Sequence, residues 1–534
     1  MTVARTLKKL EGSNLSERAF AEEQGIAKST LQGWRYSRSK ITAIPEIVDF
    51  FESEVGHDFL HRLVYSMVFH FHECGSASIR SLSAFFEDAG LNSFTASKPS
   101  YLKGLACKMQ EEISLFGEEQ TSLLTQNMTP RSITVAQDET FFRNKPCLVG
   151  MEPISNYIFL EKMAKDRKAK TWNTLMSEAL KGIPVKVIQS TSDEGSSLLK
   201  HTKESLGAAH SPDTFHIIQE ISRSGSAALK MKENHCRQEL ASAIEEKVKK
   251  AEKVSLLPEN TFKRETQQES LFKKEKAEIQ ALQHLHEAKQ RSQEFTAGRK
   301  AVSRNYHPYD LQNGMRQSPQ KVEKLLTKNM LRCKKEIVNL GVKSHDKLAK
   351  AMRLIPAMKA TLIFYFSMSA TFLDDLNFDF RTRALIEDEL MPAAYLKMVA
   401  AKEKNKKEAA RLMALAKEKL IDFTRHIGPY SCYSSKEHNK MWEAAYQAVQ
   451  IFQRSSSCVE GRNAQLTMKY HNLHRLTESK LKSLTVIHNF HIKRSDGTTP
   501  ARRFFGQDHG NLFEAILKRM PALSRPRKHQ AKVA

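Results

Sequence analysis

The sequence has few of the features that mark exported or disulfide-stabilised proteins. Its seven cysteines are scattered singly, with no CxxC pair and an odd total. This pattern indicates reduced thiols and excludes a disulfide framework or a zinc ribbon. The first 20 residues lack an apolar segment, which argues against a signal peptide. The most apolar stretch, residues 354–373, contains Pro356 and Lys359, so it predicts a core helix rather than a membrane span.

Acidic residues are also scarce relative to basic ones. Lys and Arg together number 84 and Asp and Glu 60, which gives a formal net charge of +24. Such an excess favours a polyanionic partner, because each neutralised phosphate releases counterions. The charge alone does not distinguish DNA from RNA, and a soluble basic protein without such a partner is the simpler alternative. The length of 534 residues predicts several domains.

Residues 1–45 are basic and helical in pattern, and they predict a helix-turn-helix head. Ser16 is a suitable N-cap, and Gly25 is a suitable left-handed turn residue between two short helices. Ala21 and Leu31 occupy the small and apolar positions of such a motif. The second helix would carry residue types that contact bases and phosphates, namely Lys28, Ser29, Thr30, Gln32, Trp34 and Arg35. An ordinary helical hairpin is the alternative.

Residues 46–130 carry apolar side chains at helical spacing and predict a helical linker domain. Within it, residues 70–74 read HFHEC and contain metal-binding residue types. This spacing does not gather three ligands on one face of a helix. The sequence also offers no second set of ligand residues that would complete a metal site. We therefore interpret the segment as a structural cluster.

Residues 133–142, ITVAQDETFF, predict a buried strand that delivers Asp138, followed by Glu139, to its exposed end. Further strands are predicted at residues 145–151, 157–163, 185–189 and 209–218, and helices at 169–180 and 196–206. This order predicts an α/β core with a mixed sheet. Asp193 follows the strand at 185–189, so a second strand also ends in acid. Clustered carboxylates are the oxygen ligands that hold Mg²⁺ or Mn²⁺.

Residues 222–450 are rich in Ala, Glu, Lys, Leu and Gln at helical spacing, which predicts a long helical insertion with coiled-coil-like helices. The segment after it, SSSCVEGRNAQL, reads as a serine-capped helix with Glu460 in its first turn. Residues 507–534 form a basic tail, and we expect its acid-free end, from Lys518, to be flexible and to seek phosphate.

The acidic positions and their surroundings resemble DDE-type transposases of bacterial insertion sequences, whose catalytic domain has an RNase H-like fold. The resemblance covers residues 130–220 and 450–506 and includes the closing motif HNFHIKRSDGTTPARRFFG. In that family the first aspartate ends the first strand, the second follows the fourth strand, and the glutamate lies on a later helix. Asp138, Asp193 and Glu460 match these three places in order. The interval between the last two positions is 267 residues (460 − 193). An RNase H-like fold without an insertion needs a shorter interval, and a helical insertion accounts for the difference.

The resemblance implies a site of two Mg²⁺ or Mn²⁺ ions held by Asp138, Asp193 and Glu460. Asp213 is an alternative to Asp193, because it lies in the fifth predicted strand. Auxiliary candidates at the site are Glu139, His216 and Asn463. The candidate DNA contacts near the glutamate helix are Arg462, Lys469 and Arg475.

The expected function is that of a transposase that binds element ends, cuts them and joins them to target double-stranded DNA. The expected architecture has six parts: head 1–45, linker 46–130, core 131–221, insertion 222–450, core 451–506 and tail 507–534. We expect a homodimer or higher oligomer in the bacterial cytoplasm, associated with the nucleoid. The alternatives are a non-catalytic, domesticated DNA-binding protein and an RNase H-like nuclease or resolvase that acts on branched DNA.

Overall fold

The computed structural model describes residues 3–38, 43–259, 262–427, 433–473 and 475–525. Over these ranges the protein is mostly helical and contains one mixed five-stranded sheet. This confirms the expected combination of α/β and all-helical parts. The chain divides into two compact units. The first comprises Met1–Arg131, Glu139–Lys186 and Val459–Ala534, and the second comprises Ser132–Asp138 and Val187–Cys458.

Helices fill the described part of the chain before the sheet. They are α1 (Val3–Glu11), α2 (Glu17–Glu23), α3 (Lys28–Arg38), α4 (Pro45–Glu52), α5 (Glu54–Met67), the π-helix Val68–Gly75, α6 (Ile79–Asp88), the 3₁₀ turn Leu91–Ser93 and α7 (Pro99–Gln126). The residues predicted as local signals take their expected conformations. Ser16 accepts a hydrogen bond from the Ala19 N–H at 3.3 Å, and Gly25 has φ +64°. The three helices of the head, α1–α3, enclose a small core of Leu7, Leu10, Phe20, Ala21 and Leu31.

The sheet and its helices follow α7. They are β1 (Arg131–Phe142), β2 (Lys145–Glu152), β3 (Tyr157–Met163), α8 (Ala169–Leu180), β4 (Val185–Ser192), α9 (Ser196–His201), the π-helix Thr202–Leu206 and β5 (Ala209–Pro212). The strand order is β3-β2-β1-β4-β5. Strands β2 and β3 are antiparallel, with Cys147 opposite Met163. Strands β4 and β5 are parallel, with Gln189 opposite Ala209.

Several strand boundaries differ from the prediction. Strand β4 runs to Ser192, three residues past its predicted end. Strand β1 continues past Asp138 to Phe142, because the β-forming residues Thr140 and Phe141 extend it to a turn at Arg143, where φ is +57°. Strand β5 stops at Pro212, and the predicted strand at residues 213–218 is wrong. Asp213 caps a helix there, and this local hydrogen bonding outweighs the apolar pattern of the residues that follow.

The helical region after β5 belongs to the second unit. It comprises α10 (Thr214–Ser255), α11 (Phe262–Asn305), α12 (Pro319–Glu336), α13 (Val342–Arg353), α14 (Ile355–Asp375), α15 (Phe380–Leu385), the π-helix Ile386–Leu390, α16 (Met391–Lys402), α17 (Lys406–Ile427) and α18 (Ser435–Gln450). Helices α10 and α11, of 42 and 44 residues, pack along each other. Lys247 pairs with Glu278 at 2.5 Å, and Lys274 pairs with Glu246 at 2.6 Å.

Within the described ranges, one helical stretch, Lys343–Asp375, is long and apolar enough by length and composition to cross a membrane. Helix α14 supplies most of this stretch. Its Met358, Leu362 and Tyr365 are completely buried in the core of the second unit. One face of the predicted core helix therefore packs in the core of the second unit.

The last helices belong mainly to the first unit. They are α19 (Ser457–Leu473), α20 (Glu478–Phe490), α21 (Pro500–Phe505) and α22 (Leu512–Arg519). Helix α20 packs against α7 and β3, and the Asn489 amide forms two hydrogen bonds to the backbone of Ile158, at 3.0 and 2.8 Å. The first part of the predicted basic tail contains α22, in which Leu512 and Ile516 are buried. Residues 526–534 of the predicted tail lie outside the described residues.

His488 on α20 makes the stability of the first unit sensitive to acid. Its Nε2 lies 2.8 Å from the Asn156 carbonyl oxygen, and burial lowers the pKa of His488 to about 4. The ordinary pKa is near 6.5, so the unfolded chain takes up this proton first as the pH falls. The contribution of neutral His488 to stability is therefore complete above about pH 6.5 and is lost as the pH falls toward 4.

We expect His488→Gln to flatten this part of the pH dependence, because glutamine keeps an N–H donor but does not titrate. Thermal unfolding midpoints of wild type and variant, measured from pH 7 to pH 4, check this. The wild type should lose up to about 3 kcal/mol more than the variant over that interval. His471→Gln, at an exposed position on α19, is the control. Equal pH dependence of wild type and His488→Gln would contradict the assignment.

Candidate active site

Two hydrogen bonds between side chains hold β1 beside β4 in the second unit. The Thr134 hydroxyl donates to Gln189 Oε1 at 3.1 Å, and the Ser190 hydroxyl donates to Gln137 Oε1 at 2.9 Å. All four side chains are buried. Asp138 is the residue after Gln137, so these contacts hold its backbone close to the end of β4. The Asp138 side chain is half-buried.

The two acidic residues after β4 have separate partners. Asp193 Oδ1 accepts a hydrogen bond from the Gly195 N–H at 3.0 Å, which closes a short turn. Glu194 Oε1 lies 3.0 Å from His210 Nε2 on β5. Both carboxylates are half-buried. Asp193 thus keeps one oxygen outside this turn contact, whereas Glu194 is engaged with the neighbouring strand.

Asp213 is the most deeply buried acid of the group, with 1% of its surface exposed. Its Oδ1 accepts from the Phe215 N–H at 2.8 Å and caps α10. Its Oδ2 accepts from the Ser456 hydroxyl, and His216 Nε2 lies 3.9 Å from the same oxygen. The backbone N–H of Asp213 donates to the Ser192 carbonyl oxygen at 3.2 Å. Asp213 therefore connects the ends of β4 and β5 to the segment before α19.

The segment at residues 453–456 runs along the junction of β5 and α10. The Ser211 hydroxyl donates to the Gln453 carbonyl oxygen at 3.0 Å. The N–H and hydroxyl of Thr214 both donate to the Arg454 carbonyl oxygen, at 2.9 and 2.6 Å. These bonds, with the one between Ser456 and Asp213, fix the point from which α19 starts.

Glu460 lies in the first turn of α19, as predicted. The helix begins at Ser457, directly after the residue that contacts Asp213. At 1.5 Å of rise per residue, Glu460 is about 6 Å along the helix axis from Ser456. The chain therefore leads from a buried aspartate to the predicted glutamate ligand within one turn. Sequence analysis took the serine run only as a cap, and nothing in the pattern links Ser456 to a residue 243 positions away.

The candidate role of Glu139 at the same site is not supported by its position. Side chains alternate between the two faces of a strand, so Asp138 and Glu139 on β1 point to opposite faces. Glu139 Oε1 forms an ion pair with Arg167 Nη1 at 2.7 Å. Both residues of this pair belong to the first unit. Glu139 is better explained by this ion pair.

Two predicted DNA contacts on α19 make tertiary contacts within the first unit. Arg462 is 5% exposed and binds both carboxylate oxygens of Glu161 on β3, each at 2.7 Å. Lys469 donates to the carbonyl oxygens of Cys74 and Gly75, at 2.6 and 3.2 Å, and burial lowers its pKa. These tertiary contacts engage both cations, so DNA binding by Arg462 and Lys469 stays a prediction that the packing does not favour. Arg475 is exposed, and Asn463 is buried.

The predicted recognition residues of the head divide into two groups. Lys28, Ser29 and Thr30 are exposed at the start of α3. Gln32 and Arg35 are also exposed, but both hydrogen-bond to Glu17 on α2. The last predicted contact, Trp34, is partly buried and packs against the core of the head.

The acids on and after β1, β4 and β5 have the donor type that a hard divalent cation prefers. Asp138, Asp193 and Asp213 each offer carboxylate oxygens, the ligand type of Mg²⁺ and Mn²⁺. Among the described residues, Asp213 belongs to a group of three converging ligand atoms, whereas Asp138 and Asp193 do not. Among the described residues no Lys or Arg forms an ion pair with Asp213, although its carboxyl group is buried. The Phe215 N–H and the Ser456 hydroxyl hold this carboxylate in place. In residue type, the acids present fit the group that the resemblance implies.

Comparison with known proteins gives one partial match. The sequence profile of a family of unknown function, DUF6399, matches residues 386–532. This stretch includes α19 and Glu460 but none of the three aspartates. No curated protein matches the chain.

We expect Arg462→Ala to destabilise the first unit rather than act on DNA affinity alone. Removal of the guanidinium leaves the buried Glu161 carboxylate without its cation, which costs about 3–5 kcal/mol. The loss should appear as a lower thermal unfolding midpoint. Arg475→Ala, at an exposed position, is the control and should change stability by less than about 0.5 kcal/mol. Equal midpoints for the two variants would show that the ion pair is not important for stability.

Proposed function

We propose that the protein is a DDE-type transposase with an RNase H-like core, which cuts element ends and joins them to target DNA with Mg²⁺ or Mn²⁺. One observation carries the proposal. Asp138, Asp193 and Asp213 all lie in or directly after three neighbouring strands of one sheet, and the Asp213 side chain contacts the residue before the glutamate helix. Clustered carboxylates at strand ends are suited to divalent ions and to phosphoryl transfer.

The order of elements supports the same proposal. Asp193 follows the fourth strand and Glu460 lies on a later helix, which is the arrangement of the resembled family. The mixed sheet agrees with an RNase H-like core. The helices from α10 to α18 occupy the chain between β5 and α19, which accounts for the long interval before Glu460.

The proposed reaction is an in-line displacement at a DNA phosphorus atom. Water is the nucleophile in cleavage, and a DNA 3′-hydroxyl is the nucleophile in joining. Asp138, Glu460 and either Asp193 or Asp213 would hold two divalent ions, which activate the nucleophile and stabilise the leaving oxygen. Ser456 and the Phe215 N–H orient the Asp213 carboxylate, and His216 lies within reach of it.

The proposed DNA partner is supported by charge and by the head. The formal net charge is +24. The exposed start of α3, with Lys28, Ser29 and Thr30, has the residue types of a recognition helix, and a helix-turn-helix head would place it in the major groove. Two DNA ends must meet for joining, so we propose that the active form is a homodimer or a higher oligomer.

We expect Asp138→Asn to lower Mg²⁺-dependent nicking of labelled element-end DNA by at least about 10³-fold, equivalent to about 4 kcal/mol. End binding in a gel-shift assay should stay nearly unchanged. Glu139→Gln, the neighbour on the opposite face of β1, is the control and should retain activity. Loss of both nicking and binding in Asp138→Asn would instead indicate a structural aspartate. Binding without nicking in the wild type would favour a non-catalytic DNA-binding protein.

We expect the second aspartate of the site to be identified by comparing Asp193→Asn with Asp213→Asn. Asparagine still caps a helix, so Asp213→Asn keeps the bond to the Phe215 N–H and should fold. The variant that loses nicking while keeping its unfolding midpoint identifies the ligand. Full activity in both variants would show that neither carboxylate binds the catalytic ion.

A further inference from the structure

Three metal-binding residue types converge in the first unit, away from the aspartates. His70 and Cys74 lie on the π-helix Val68–Gly75, and His491 directly follows α20. One ligand atom from each residue lies within 4.8 Å of the other two. We call this group the His-Cys-His cluster.

The local structure explains how the cluster forms. Residues four apart on a helix lie on the same face, so His70 and Cys74 project together. Helix α20 contacts the π-helix and brings His491 to that face. The imidazole rings of His70 and His491 are 5.8 Å apart between centroids. Phe69 packs edge-on against His491, with ring centroids 4.9 Å apart.

Two lysines fix the backbone that carries Cys74. Lys469 Nζ donates to the carbonyl oxygens of Cys74 and Gly75, and Lys480 Nζ donates to those of His72 and Glu73 at 3.1 and 3.3 Å. These are the carbonyl groups that the end of a helix leaves without intrahelical partners. The orientation of the π-helix end is therefore held by cations, and π-helical segments are frequent at functional sites.

The donor atoms themselves are not engaged by the described residues. Within the ranges that the structure describes, neither imidazole ring of the cluster forms a hydrogen bond, and neither does the Cys74 thiol. His70 is exposed, and Cys74 and His491 are half-buried, so an ion can enter from solvent. The rings of His70 and His491 pack against Phe513 and Phe69, with centroids 5.9 and 4.9 Å apart, but this packing does not engage the nitrogen and sulfur atoms of the cluster.

We propose that His70, Cys74 and His491 bind a borderline or soft divalent transition metal of the Zn²⁺ type. Two imidazole nitrogens and one sulfur are a donor set that Zn²⁺ takes, with a fourth position left for water or another ligand. Mg²⁺ prefers oxygen, so this site differs in chemistry from the carboxylate group. The bound ion would connect the π-helix to the end of α20, across 417 residues of sequence (491 − 74), and would stabilise the first unit.

The test uses the full-length, tag-free protein, stripped of metal with a chelator and titrated with Zn²⁺ and with Co²⁺. We expect Co²⁺ to give a thiolate-to-metal charge-transfer band in the near ultraviolet, and Zn²⁺ to displace it and raise the unfolding midpoint. Cys74→Ser should remove the band, and His491→Gln should weaken metal binding more than the about 10–100-fold typical of changes around a metal site.

Two controls carry matched substitutions elsewhere in the same unit. Cys107→Ser on α7 and His471→Gln on α19 alter exposed residues and should leave the titration unchanged. A wild-type Co²⁺ spectrum without a thiolate band would overturn the proposal, as would an unchanged band in Cys74→Ser. The wild-type Co²⁺ spectrum tests the proposed metal site even if a variant fails to fold. The carboxylate site does not affect the result, because Asp138→Asn should keep the band.

Discussion

The hydrogen bond between Ser456 and Asp213 is the contact on which the candidate site depends. It joins a residue directly after β5 to a residue directly before α19, and it lies among three further bonds between the same two segments. Of these bonds, it is the one made by a carboxylate of the candidate site. An oxygen already held by Phe215 and Ser456 is also pre-oriented, so little side-chain freedom remains to be lost when a ligand binds.

The large positive charge of the chain is only partly available to DNA. Arg462 pairs with Glu161, Lys480 pairs with Glu73, and Lys469 holds backbone carbonyl groups. Such cations support packing between elements distant in sequence, and they would contribute little to the salt dependence of DNA binding. The remaining basic side chains, such as Lys28 and Arg475, are the ones that can approach phosphates.

Sequence reasoning succeeded where local signals decide the structure. The bounds of α8 and β3 match the prediction because each segment has a clear period and clear ends, and Ser16 and Gly25 act through their own neighbours. It failed where a distant partner decides. The partner of Arg462 is 301 residues away, and His491 lies far from the HFHEC segment that it completes. Contacts between residues so far apart in sequence produce no signal in the local sequence pattern.

The helical region from α10 to α18 leaves the sheet at Thr214 and returns at Arg454, two residues that hydrogen-bond to each other. The two ends of this region are therefore held next to each other, as in a closed loop. Lengthening such a loop costs little, since the entropy of closure grows only with the logarithm of its length. Chains with a much shorter or longer excursion could therefore keep the same strand-end chemistry. Counting residues between the acidic positions would then be a poor way to recognise related proteins.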